Sequence, residues 1–172
     1  IFDLLFPPRE PGWNGSSTLA KGSLILIGLV YLMILSGGLV AGTHAGYAYS
    51  TWPLMGTSFI PPGLYSGSPA WLDAFEDITA IQFNHRMFAY LLFVLINLFA
   101  VRVLFTARNG RARWGAILVG LAVWLQVTLG ISTLLLHVPV AIAAAHQAGA
   151  VVLLSATLFV SHVLVRQQVA RE

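Results

Sequence analysis

"QFNHRMFAYLLF", residues 82–93, sets Gln, Asn, His and Arg at the mouth of a run that otherwise reads as bilayer-spanning helix. Polar groups held in hydrocarbon are costly unless paired or working, so such a cluster marks a candidate functional site. The apolar part of this stretch belongs to a run over residues 86–105, and three similar runs cover 22–41, 114–136 and 140–165. Each has the ~20 residues a helix needs to cross ~30 Å of hydrocarbon. Hydrophobic residues make up 58% of the chain and charged residues 9%, with a mean hydropathy of +0.82. No soluble domain of this size tolerates such a surface. The chain therefore reads as an all-α integral membrane protein, a four-transmembrane-helix bundle running up-down-up-down. A long outer loop, 43–77, joins helices 1 and 2.

Charge placement predicts the orientation. Arg102, Arg108, Arg111 and Arg113 cluster at the turn between the second and third runs. Arg9 and Lys21 precede the first run, and Arg166 and Arg171 follow the fourth. The connections 43–82 and 137–139 hold no Lys or Arg. The positive-inside rule then puts both termini on the cytoplasmic side of a bacterial cytoplasmic membrane, or on the matrix side of a mitochondrial inner membrane. The expected organisation is an inner-side N-terminal segment (1–21), a four-helix domain (22–167) and an inner-side tail (168–172). The basic balance is thus a topology signal; no basic stripe interleaved with exposed aromatics points to nucleic acid. The absence of cysteine excludes disulfides, thiolate metal sites and Cys nucleophiles. The opening "IFDLLFPPREPGWNGSS" is too short in its apolar part for a signal peptide, and a start without Met points to a fragment.

The outer loop is rich in Gly, Pro, Ser and Trp, as a functional or lid-like loop would be. "DAFEDITAIQFNHR" reads as one helix that begins near Asp73 and continues into the second span, with Asp73, Glu76 and Asp77 favoured by the dipole of its first turns.

Four of the five histidines fall at the outer end of this topology: His44, His85, His137 and His146. His44 and His137 lie at helix ends, where an interfacial ring with one wet nitrogen is the ordinary alternative. His162, one turn from Arg166, reads as an inner-interface residue. His85 and His146 differ because they lie within helices. Spans two and four stand on a diagonal of the bundle, roughly 12–14 Å apart if neighbours are about 8–10 Å apart. Two imidazoles facing across that gap can ligate one iron, the arrangement that a bis-His haem b requires. Ala143, Gly149 and Ala150 share the face of His146 and leave a slot for a flat macrocycle. Gly38, Gly42 and Gly46 form a small-residue ridge that also suits close helix packing. Arg86 can pair with a haem propionate or snorkel to the interface. Tyr47, Tyr49, Trp52 and Trp71 would cover the haem edge or anchor at the interface.

"SGGLVAGTHAGYAYSTWPLMG", "IQFNHRMFAY" and "LQVTLGISTLLLHVPVAIAAAHQAGA" together resemble the C-terminal half of the haem A synthase family, over residues 35–165. These are membrane oxidoreductases, acting on a CH or CH2 group, that convert a methyl of haem O to the formyl of haem A for cytochrome oxidase assembly. The resemblance implies eight spans in two pseudo-repeated halves, each with a His-Arg pair and a second His. It makes His85 and His146 the axial ligands of a haem b; from their place at the same outer level, Arg86, Gln82, His44 and His137 are expected around the cofactor. In the family's substrate half a Glu stands three residues before the His-Arg pair. Gln82 at that position cannot act as a base, so this chain resembles the cofactor half. The family commonly has an acid where this chain has His44.

The partners implied are the lipid bilayer, haem O and haem A, and an N-terminal half of the same enzyme. A homo-oligomer is another way for a short chain to complete a site. Alone, the segment is expected to be inactive. Two other readings stay open on the residues: a stand-alone bis-His cytochrome b electron carrier, and a haem-free structural or transport bundle.

Overall fold

The computed structural model of the protein describes residues 17–169. Arg9, Arg171 and most of the two expected terminal segments lie outside the described residues. Four long helices dominate: α1 (Ser17–Gly42), α2 (Ile78–Thr106), α3 (Gly110–Leu135) and α4 (Val140–Val169). All four are long and apolar enough to cross a membrane, so the chain is a multi-pass membrane helical bundle.

The helices form a ring. α1 packs on α2 and α4, and α3 packs on the same two, which leaves α1 opposite α3 and α2 opposite α4. Short connections keep α3 beside both α2 and α4. Asn109 caps α3 by accepting a hydrogen bond from the Arg111 amide at 2.8 Å, so only a few residues separate α2 from α3. Leu136 to Pro139 turn the chain from α3 into α4, with His137 and Val138 both in the left-handed region (φ 62° and 58°). That conformation is costly for a β-branched residue. At Val138 it is held by a hydrogen bond of 2.7 Å that its amide donates to the Thr133 carbonyl.

Two helix boundaries differ from the expectation. Asp73–Glu76 is a separate single turn, because Asp77 is extended (φ −87°, ψ 120°) and starts a new helix. Its side chain accepts a hydrogen bond from the Ala80 amide at 2.8 Å, a side-chain N-cap. An acid near a helix start is compatible with both arrangements, and here capping wins over continuation. Lys21 lies inside α1, one turn past its start, and not before it.

The main apolar cluster occupies one half of the bundle. The buried apolar cluster runs from Leu19 to Val30 on α1, Leu92 to Val103 on α2, Ala112 to Val123 on α3 and Leu153 to Leu164 on α4. This is the end that carries Arg102, Arg108 and Arg113. Polar bonds tie its two long seams. The Ser23 and Ser161 hydroxyls meet at 2.9 Å between α1 and α4, and the Trp124 indole donates to Asn97 Oδ1 at 3.1 Å between α3 and α2. Trp124 also meets Phe93 edge to face at 4.9 Å.

Gly115 lets α3 approach α4 here, since a Cβ would lie 3.0 Å from Val160 Cβ and 3.3 Å from the Phe159 ring. Gly115→Leu is expected to cost about 1–3 kcal/mol through overpacking. The readout is a lower unfolding temperature in detergent micelles; an unchanged midpoint would contradict the packing.

Candidate functional site

Above the core the interior changes character. In each helix the last core residue, Val30, Leu92, Val123 or Leu153, lies seven positions from a glycine or histidine: Gly37, His85, Gly130 or His146. Seven residues are two turns, about 10 Å along the axis. The apolar layer of Val30, Leu92, Val123 and Leu153 is thus a floor, and the two histidines stand above it on opposite helices.

Each imidazole is seated on the helix that precedes its own. His85 Nδ1 hydrogen-bonds to Ser36 Oγ of α1 at 3.0 Å. A Cβ on the next residue, Gly37, would sit 3.4 Å from His85 Cε1, so a side chain there would press on the ring. His146 Nδ1 bonds to the main-chain carbonyl of Gln126 on α3 at 3.1 Å. There the fit is tighter: a Cβ on Gly130 would be 2.9 Å from His146 Cε1. Because a carbonyl only accepts, His146 Nδ1 must carry the proton, and in the neutral ring Nε2 keeps its lone pair.

Gln126 grips His146 twice. Its side-chain Nε2 donates to the His146 carbonyl at 2.8 Å. Gly149 makes room for that reach, since a Cβ there would collide with Gln126 Oε1. Gly149 therefore serves the glutamine and not the open slot expected beside His146. The ridge reading also changes. A Cβ on Gly38 or Gly42 would meet nothing within 4 Å, so neither packs against a neighbour, whereas Gly46 contacts Val138 and Val40. The glycine that matters on α1 is Gly37.

Gln82 and Arg86, one turn apart on α2, are buried at 3% and 8% exposure. Gln82 Nε2 donates to the carbonyls of Tyr49 (3.0 Å) and Gly46 (3.3 Å). The Arg86 guanidinium donates to Tyr49 and Thr51 (both 2.9 Å) and to Leu54 (3.4 Å). These partners all belong to the 43–77 connection. Thr51 and the facing pair Met55 and Ser58 close this part of the loop into a compact turn, which the guanidinium enters. A buried Arg holding loop carbonyls replaces the snorkelling alternative.

His44 and His137 are exposed and lie outside the long helices, both left-handed. Tyr47, Trp52 and Trp71 are exposed as well, and Tyr49 is half-buried with its ring against Gly56. His162 lies on α4 among the residues of the core half.

Ser36, Gly37, Gln126 and Gly130 escaped the sequence reading. The available signal was a polar residue followed closely by glycine inside each odd-numbered apolar run, Ser36 with Gly37 and Gln126 with Gly130.

Three buried polar atoms have no hydrogen-bond partner among the described residues: Gln82 Oε1, Gln126 Oε1 and Tyr90 Oη. Gln82 and Tyr90 flank His85 on α2, and Gln126 holds His146. Such atoms are rare in native interiors and call for a water or a ligand. A planar iron macrocycle fits this donor set: two opposed imidazoles with occupied Nδ1 atoms, glycine beneath each ring, and an apolar floor two turns below.

The fold and the site define a four-helix membrane bundle whose polar interior is built around a diagonal histidine pair. Residues 7–158 match the cytochrome oxidase assembly protein family COX15-CtaA, and the chain belongs to that family. It is 46% identical to a heme A synthase of Nitrosospira multiformis over 166 residues, covering 96% of this chain and 47% of that protein. Heme A synthases of Nitrosomonas eutropha (45% identity, 83% of this chain, 40% of the relative) and Parvibaculum lavamentivorans (40% identity, 89% and 45%) are similar to it as well. The chain spans about half the length of the curated relatives it matches and corresponds to their C-terminal part.

Proposed function

We propose that this chain is the haem b-holding half of a haem A synthase, with His85 and His146 as the axial ligands of the iron. The observation that carries the reading is the seating of both imidazoles. On opposite helices, each bonds through Nδ1 to the preceding helix, so Nε2 is the nitrogen available to an iron. Bound there, the group would supply one-electron chemistry or rigidity to the parent oxidoreductase, which turns the methyl of haem O into the formyl of haem A.

What this chain's own residues do is hold and orient. Ser36 and Gln126 anchor the rings, Gly37 and Gly130 admit them, and Arg86 and Gln82 fasten the loop over that end of the bundle. Gln82 offers an amide where a carboxylate would be needed for base chemistry. Oxidation is therefore assigned to an N-terminal half. The Arg102, Arg108, Arg111 and Arg113 end faces the cytoplasm and the histidine end faces outward, in a bacterial cytoplasmic membrane.

The test is the absorption and EPR spectrum of the purified 172-residue chain titrated with haemin. A stoichiometric six-coordinate low-spin species is expected, unchanged in His162→Ala. A five-coordinate product, or no saturable binding, would overturn the site. In the same preparation neither the wild type nor Gln82→Glu should convert haem O. Turnover by the chain alone would refute the division of labour.

A further inference from the structure

The two histidine seats are not chemically equivalent. His146 Nδ1 faces a main-chain carbonyl, which accepts only, so its proton is fixed on Nδ1. His85 Nδ1 faces the Ser36 hydroxyl, which can accept or donate. If the hydroxyl donates, the ring proton sits on Nε2 and the interior-facing nitrogen has no lone pair. If it accepts, Nε2 is free. With the ring seated on Ser36, the role that the hydroxyl takes decides where the ring proton sits.

We propose that Ser36 is a positioning residue for His85, selecting the nitrogen presented to the iron and tuning that ligand's strength. The inference rests on the haem reading above. Ligation requires Ser36 Oγ to accept from Nδ1–H. A ring that donates from its far nitrogen is a more basic ligand, and a more basic ligand favours the ferric iron. His146 is the preset ligand, since no side-chain substitution removes a backbone carbonyl. His85 is the adjustable one.

The experiment compares wild type, Ser36→Ala and Ser36→Thr in the full chain loaded with haemin. Spin state is read by EPR and midpoint potential by spectroelectrochemistry. Ser36→Ala should remain low-spin with a higher potential; a tenfold loss of ferric preference reads as about 59 mV for a one-electron couple. Ser36→Thr, which keeps a hydroxyl, should return to the wild-type value. Low-spin Ser36→Ala with an unshifted potential would overturn the role of Ser36 and leave the haem site standing. Loss of the sixth ligand in Ser36→Ala supports the proposal if Thr restores it, and overturns it if Thr does not. A wild type without a low-spin spectrum would remove the haem site, and this proposal with it.

Discussion

Loss of the six-coordinate haem spectrum is expected from either His85→Ala or His146→Ala alone. Each histidine is the only imidazole on its side of the interior, since His44 and His137 lie exposed at the helix ends. Alanine at either position leaves its anchor, Ser36 Oγ or the Gln126 carbonyl, without a ring to hold. Removing an outer hydrogen-bond partner of a metal ligand typically costs roughly 10–100-fold in affinity, and removing the ligand should exceed that. The single variants should give five-coordinate high-spin haem or weak binding, and the double variant no saturable binding. Exogenous imidazole should restore the low-spin spectrum of either single variant, because the vacated ring leaves its seat behind. Wild-type spectra in both single variants would sink the assignment.

Arg86→Ala should release the loop while leaving the histidine pair in place. The guanidinium holds three carbonyls in the 49–54 segment, and Gln82 shares only the Tyr49 one. Charge-assisted hydrogen bonds contribute about 1.5–3 kcal/mol each. Thr51 and Leu54 are exposed enough for water to take over part of the loss. A local cost of about 2–4 kcal/mol follows, or roughly 30- to 1000-fold faster amide exchange in residues 49–58. Lysine should not rescue, because one ammonium cannot span the carbonyls that a planar fork reaches. The haem should stay six-coordinate with weaker retention. Unchanged exchange in the loop would refute Arg86 as its fastener.

Span number and length were legible because hydrocarbon thickness imposes them, and the diagonal placement of His85 and His146 followed from short connections. Helix rotation was not legible. In a bilayer the outside of a helix is as apolar as the inside, so no stripe of hydrophobicity marks the inward face. That is why Gly38 and Gly42 drew attention when Gly37, one residue and about 100° away, supports His85. Arg86 failed to declare its partners for another reason: main-chain carbonyls of a distant loop leave no mark on side-chain pattern. The break at Asp77 was hidden because an acid stabilises a helix start whether or not a turn precedes it.

The seating of each ring on the preceding helix also has a mechanical meaning. The bundle divides into two hairpins, α1 with α2 and α3 with α4, and each hairpin carries one imidazole complete with anchor and glycine. The seams between hairpins are stitched by Ser23 with Ser161 and by Asn97 with Trp124, level with the packed core and not with the histidines. Both Nδ1 bonds lie inside their own hairpin, so a change in the spacing between the hairpins would leave each ring on its anchor.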